Sequence, residues 1–151
     1  RVFPGIRFSK ESVERADWAL ELVGMSDESD MPVDTLPVYK RKMLMIAGAL
    51  STSPLILMMD EPVGGLNPNE IDDIMEIVRK VRDAGVTILM IEHVMRFLVT
   101  LSDRIIIMHH GKNIYDGEPS ELASDKTVVD VYLGEGASEL IADALGDAGD
   151  E

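Results

Sequence analysis

The sequence contains no cysteine, which excludes a disulfide scaffold, a thiolate metal site and cysteine catalysis. Histidine is scarce too: three in 151 residues leave little for a zinc centre. Basic residues are outnumbered, 14 Lys and Arg against 28 Asp and Glu, for a formal charge of -14. Such a chain repels nucleic-acid phosphates and anionic headgroups, so no nucleic acid is expected as a partner. The longest apolar run, Pro54–Met59, is far below a bilayer span. No signal peptide opens the chain, and no internal repeat is evident. What remains is ample for one domain: 46% hydrophobic and 28% charged residues supply a core and rule out wholesale disorder. The composition predicts a soluble, intracellular, acidic protein. Residue 1 is Arg rather than Met, and the opening segment reads like the middle of a longer chain.

Local patterns give the elements. Pro4-Gly5 is turn chemistry, and Ser9 is a candidate cap for a helix. The face of that helix is Val13, Ala16, Leu20 and Val23, joined by Trp18 and Ala19, and it ends at Gly24. An acidic loop, Ser26–Thr35, leads to a second helix with Pro37 in its first turn, running through Lys40-Arg41-Lys42 to about Leu50. Leu55–Asp60 reads as a buried strand. Asn67, Pro68 and Glu70 read as cap, first helical residue and capping partner of a third helix. Ile71, Ile74, Ile77, Val78 and Val81 form its apolar face, and Gly85 stops it. Val86–Ile91 is a second buried strand, Val94–Leu101 a short helix and Arg104–Met108 a third strand. Gly111-Lys112-Asn113 suggests a hairpin turn into Ile114-Tyr115, with short helices at Pro119–Ser124 and Val128–Leu133. Strand, helix, strand, helix, strand is the grammar of an α/β fold with a parallel sheet. The expected organisation is a helical lobe over residues 1–52, an α/β core portion over 53–134 and an acidic tail over 135–151.

The chemistry concentrates where the first strand ends. In an open α/β sheet, ligands sit beyond the carboxyl ends of the strands, where Asp60 and Glu61 project. An apolar strand ending in Asp is the Walker B pattern, in which the carboxylate holds Mg²⁺, usually through water. The adjacent Glu can accept a proton from an attacking water. Taken alone, this is also how a strand ends in a solvated acidic turn. His109 and His110 read as strand-end polar residues. The ten Met read as core filling. Lys40-Arg41-Lys42 could face a nucleotide, a partner or solvent.

The neighbours decide between these readings. Asp60-Glu61-Pro62 is followed by Gly65-Leu66-Asn67-Pro68 and then by a second strand ending in Glu92-His93. The basic helix Lys40–Leu50 precedes them, and Ser102-Asp103-Arg104, Gly111-Lys112 and Asp116-Gly117-Glu118-Pro119 follow. From Leu36 to Gly134 this order resembles the ATP-binding subunits of ABC transporters. Val131-Tyr132-Leu133-Gly134-Glu135 is similar to the end of the branched-chain amino-acid (or urea) importer branch. Arg1–Gly5 resembles the stretch after that family's Q-loop, and Trp18–Met25 its last helix before the signature.

The resemblance implies a P-loop NTPase-like ABC ATPase core, with ATP and Mg²⁺ as ligands. Asp60 would position the metal and Glu61 would polarise water. Leu66 and Asn67 would lie in the loop that meets the opposite subunit, and His93 would contact the γ-phosphate. The subunit would form a homo- or heterodimer, sandwich two ATP and drive transmembrane permease subunits from the inner face of the membrane. Two departures stand out. No Gly-x-x-x-x-Gly-Lys-Ser/Thr loop occurs, so the half carrying it is expected before Arg1. Where the family has Leu-Ser-Gly-Gly-Gln, this chain has Leu36-Pro37-Val38-Tyr39-Lys40, and Gly48 replaces a basic residue farther along that helix. Pro37 removes a donor and Tyr39 adds bulk where a phosphate would approach. The alternative is a non-hydrolysing scaffold or regulatory relic of the same fold. A chromosome-associated ABC ATPase is disfavoured by the net charge and the lack of coiled-coil heptads.

Overall fold

The computed structural model describes residues 8–125 and Val128. Expectations about Arg1–Gly5, most of Val128–Leu133 and the acidic tail therefore lie outside the described residues. The chain divides into two units, one up to Ile91 and one from Glu92.

In the first unit, α1 spans Lys10–Leu22, with the Ser9 hydroxyl accepting the Ser12 N–H at 3.1 Å. It ends as a Gly-stopped helix must. Gly24 takes φ +70°, its N–H bonds Glu21 and the Met25 N–H bonds Leu20, so the last carbonyls are satisfied by a left-handed residue. Of the expected apolar face of α1, only Ala19 is buried within the helix, while Val13 and Trp18 are exposed. The acidic loop holds two short 3₁₀ turns, Ser26–Glu28 and Val33–Thr35. Next, α2 covers Val38–Leu50, with Pro37 as its cap rather than its first helical residue. Met43, Ile46, Ala47 and Leu50 form its buried face.

Strand β1 (Ile56–Asp60), helix α3 (Pro68–Asp83) and strand β2 (Thr87–Ile91) make a βαβ unit whose strands pair in parallel, Ile56 opposite Thr87 and Asp60 opposite Ile91. Helix α3 buries Ile74, Met75, Ile77, Val78 and Val81, a stripe at helical spacing. Only Leu57 and Met59 of β1 are buried. The expectation of strands buried on both faces fails here: Ile56, Met58, Leu89 and Ile91 are 59, 72, 53 and 64% exposed. Among the described residues nothing covers that apolar face.

In the second unit, α4 (Met95–Leu101) leads into β3 (Ile105–His109), which pairs with β4 (Lys112–Gly117) in an antiparallel hairpin. The expected α/β fold with a parallel sheet is present in β1 and β2, while among the described residues β3 pairs with β4 instead of joining them. The hairpin turn also sits earlier than Gly111-Lys112-Asn113. It is His110-Gly111, at φ +47° and +75°, the paired positive dihedrals that match strand twist and connect antiparallel strands directly. His109 ends β3, as its reading as a strand-end residue has it, whereas His110 lies in the turn. Val99, Ile105, Ile107, Tyr115, Leu122 and Val128 form this unit's core, with Pro119–Ser124 as a 3₁₀ segment.

Candidate active site

Strand β1 alternates inward Leu57 and Met59 with outward residues and delivers an exposed Asp60 at its carboxyl end. The chain then bends sharply. Glu61 adopts φ +46°, a left-handed conformation that costs a side-chain-bearing residue about 1–2 kcal/mol. Its backbone is held on every side. The Glu61 N–H donates to the Ile91 carbonyl at 2.9 Å, which extends the β1–β2 ladder by one bond. Its carbonyl accepts the Gly64 N–H at 3.2 Å and the Lys42 ammonium at 2.9 Å. A strained dihedral persists where its surroundings over-determine it, and such residues gather at functional sites.

Past Glu61, Pro62 and Val63 are buried and Gly65 takes φ +76°. Leu66 is half-buried, and Asn67 is exposed. The Asn67 side-chain oxygen accepts the Glu70 N–H at 3.1 Å, while the Glu70 carboxylate accepts the Asn67 N–H at 2.9 Å. This is the reciprocal capping box the sequence predicted. The side chain of Asn67 is therefore engaged in starting α3.

The signature-like segment lies on α2 and the turn before it. Leu36 is buried, and its carbonyl accepts Nε of Arg41 at 2.7 Å. Tyr39 is half-buried and donates its hydroxyl to Asp73 of α3 at 2.9 Å. Burial, followed by the Asp73 hydrogen bond and charge, pushes the phenol up to about 12. Lys40 meets Glu28 at 2.9 Å, and this hydrogen bond holds the Glu28 carboxyl below its ordinary range. The three basic residues therefore split three ways, to Glu28, to the Leu36 carbonyl and to the Glu61 carbonyl. None of these partnerships was legible in the charge run.

His93 is the second residue of the second unit, two residues beyond β2. Its ring is exposed, 62% by side chain, whereas the Glu92 side chain is wholly shielded, and Nδ1 of His93 lies 3.7 Å from Glu92 Oε2. That same oxygen accepts the N–H of His93 at 3.0 Å and of Val94 at 3.3 Å. Glu92 thus shapes the turn that carries His93, a role its position just before α4 could have suggested. The structure brings together Asp60, Glu61 and Lys42 at the end of β1, with Leu66 and Asn67 following and Leu36 and Tyr39 on the α2 side of the same unit.

Asp60 suits a hard divalent ion, offering carboxylate oxygens at the open end of a strand. Among the described residues no three acidic or His side chains form a self-sufficient metal cage. Mg²⁺ needs none, because one or two carboxylates suffice when water and phosphate oxygens complete its shell.

No protein-family profile matches the chain. It is 37% identical over 130 residues, 85% of its length, to the high-affinity branched-chain amino acid transport ATP-binding protein BraF of Pseudomonas aeruginosa, of which it covers 51%. It is also 37% identical over 123 residues to the energy-coupling factor transporter ATP-binding protein EcfA of Methanosphaera stadtmanae, covering 81% of this chain and 44% of that one. A solved ATP-binding cassette of an ABC transporter in its ADP conformation superposes with a TM-score of 0.78 at 32% identity, over 88% of this chain and 54% of that one. The chain thus spans about half the length of the curated relatives it matches, 51% of BraF.

Proposed function

We propose, from the premise that the homologues of this chain are ATP-binding proteins of ABC transporters, that it forms the C-terminal part of an ATP-hydrolysing importer subunit of branched-chain amino-acid type. The observation that carries the reading is the end of β1, where Asp60 and a conformationally fixed Glu61 follow one another. Asp60 would hold Mg²⁺, which when bound neutralises charge on the phosphoryl oxygens. The Glu61 carboxylate takes the proton of the attacking water, and its fixed backbone limits the positions that carboxylate can sample. His93, carried on the turn shaped by Glu92, contacts the γ-phosphate. Leu66 and Asn67 face an opposite subunit, and the segment Leu36–Tyr39 faces the nucleotide held by that partner.

In this reading the working unit is a dimer of ATP-binding subunits seated beneath transmembrane permease subunits, peripheral at the cytoplasmic face of the membrane. No helix among the described residues is long and apolar enough to cross a membrane, which suits a peripheral subunit. Identity to transport ATP-binding proteins at 35 to 37% favours this over a scaffold that has lost hydrolysis. Amino-acid uptake tests it. Deleting the gene that encodes this chain should abolish ATP-dependent uptake of labelled leucine, isoleucine and valine. The native gene should restore uptake, and the Asp60→Asn gene should not. Unchanged uptake after deletion would overturn the assignment of substrate class.

A further inference from the structure

We propose that Lys42 is a positioning residue for Glu61, fixing the backbone of the hydrolytic base from the first turns of α2. The proposal rests on the reading of Glu61 as the base. Its observations are geometric. Lys42 is half-buried, and its ammonium donates to the Glu61 carbonyl at 2.9 Å, across nineteen residues of sequence. A hydrogen bond from a cation is shorter and stronger than one between neutral groups. It is directed at a backbone oxygen, so it constrains a peptide plane rather than pairing with a side chain.

That peptide plane matters because Glu61 holds φ +46° without being glycine. The extended alternative, with the chain running on past β1, would swing the carbonyl and the carboxylate elsewhere. Two bonds, from Glu61 N–H to Ile91 and from Gly64 N–H to the Glu61 carbonyl, are backbone bonds that any residues could make. The third belongs to one side chain. Gly64 packs close as well: a Cβ built there would touch the Glu61 carbonyl oxygen at 3.5 Å and Oε2 of Glu61 at 3.7 Å. The Glu61 carbonyl oxygen and carboxylate thus both lie beside Gly64, whose N–H bonds that same carbonyl. Lys42 also lies three residues beyond Tyr39, on the same side of α2. The helix whose first turn carries the altered signature thus has a direct bond to the loop of the base.

The test uses the full-length polypeptide with Lys42→Met, which keeps most of the stem but loses the charge, and Lys42→Arg, which keeps the charge. Nucleotide affinity, single-turnover hydrolysis and hydrogen exchange of the Gly64 amide are measured in each. Lys42→Met should leave nucleotide Kd unchanged, lower hydrolysis about 10- to 100-fold, the scale of a misplaced catalytic group, and speed Gly64 exchange. Lys42→Arg should restore both. In a Glu61→Gln background, Lys42→Met should cause no further loss, because it acts through Glu61. Native hydrolysis and native Gly64 exchange in Lys42→Met would overturn the proposal, as would a parallel loss of affinity and hydrolysis, the mark of a merely structural role. If Glu61→Gln itself hydrolyses normally, the reading of the base fails, while Gly64 exchange still reports whether Lys42 holds the loop.

Discussion

The phenolic hydroxyl of Tyr39 donates to Asp73 across 2.9 Å and ties the first turn of α2 to α3. Partial burial first, and then the anionic acceptor, favour the protonated phenol, so its ionisation moves from 10.0 to about 12. The folded state therefore holds this proton more tightly than the unfolded chain. The resulting stabilisation is present below pH 10 and is lost as pH rises toward about 12. Spectrophotometric titration of the native protein against Tyr39→Phe should show the missing tyrosinate step near that upper value. A Tyr39 that ionises near 10 would show that the Asp73 contact does not persist in solution.

The same side chain stands where the resemblance to ABC transporter ATP-binding subunits expects a glycine. With its ring anchored on α3, Tyr39 cannot swing aside without breaking the bond to Asp73, and Pro37 offers no N–H at the helix cap. Hydrolysis at a site completed by a second copy of this segment should therefore be slow. Steady-state ATPase of the full-length polypeptide should rise when Pro37→Ser and Tyr39→Gly are combined, although glycine in α2 costs roughly 0.5–1 kcal/mol of stability. Equal turnover in the two proteins would mean that the altered signature does not limit the reaction.

The β3–β4 hairpin carries a two-pronged ion pair, Arg104 Nε to Asp116 Oδ1 at 2.7 Å and Nη2 to Oδ2 at 2.8 Å. The hydrogen bond from Arg104 holds the Asp116 carboxyl below its ordinary value of 3.8. A depressed carboxylate stabilises the fold above that value, and the stabilisation disappears as pH falls through the folded one. Arg104→Ala should accordingly reduce the pH dependence of unfolding below about pH 4, with little change in that slope near neutrality. The pair is exposed, so molar salt should diminish the difference between the two proteins. Identical acid-unfolding profiles would remove the pair from the hairpin's stability.

The elements with local chemistry were legible in the sequence. Asn67, Pro68 and Glu70 announce a capped helix because all the groups involved lie within four residues, and the structure makes both bonds. Gly24 and Gly85 mark helix ends because the left-handed residue after a helix is cheapest as glycine. Asp60 and Glu61 stood out because a continuous apolar run, Leu55–Met59, ends on them. What the sequence hid is tertiary. Nothing local makes Glu61 left-handed, and the Lys42 ammonium arrives from another element. Tyr39 and Asp73 are separated by most of α2, by β1 and by the opening of α3. The hairpin was misplaced because Gly111 drew the turn forward, whereas His110 also accepts a positive φ. The uncovered face of β1 and β2 was unreadable as well, since an apolar strand looks alike whether one or both of its faces find cover.

The central claim is that Glu61, set at the end of β1 in its fixed backbone conformation, is the hydrolytic base of an ABC ATPase. Its most direct test is single-turnover ATP hydrolysis by the full-length polypeptide carrying Glu61→Gln, with nucleotide affinity measured on the same sample. The amide is nearly isosteric and cannot take the proton. The account predicts unchanged affinity and hydrolysis slowed by about 10²–10⁴-fold. Hydrolysis at the native rate with bound nucleotide would contradict it.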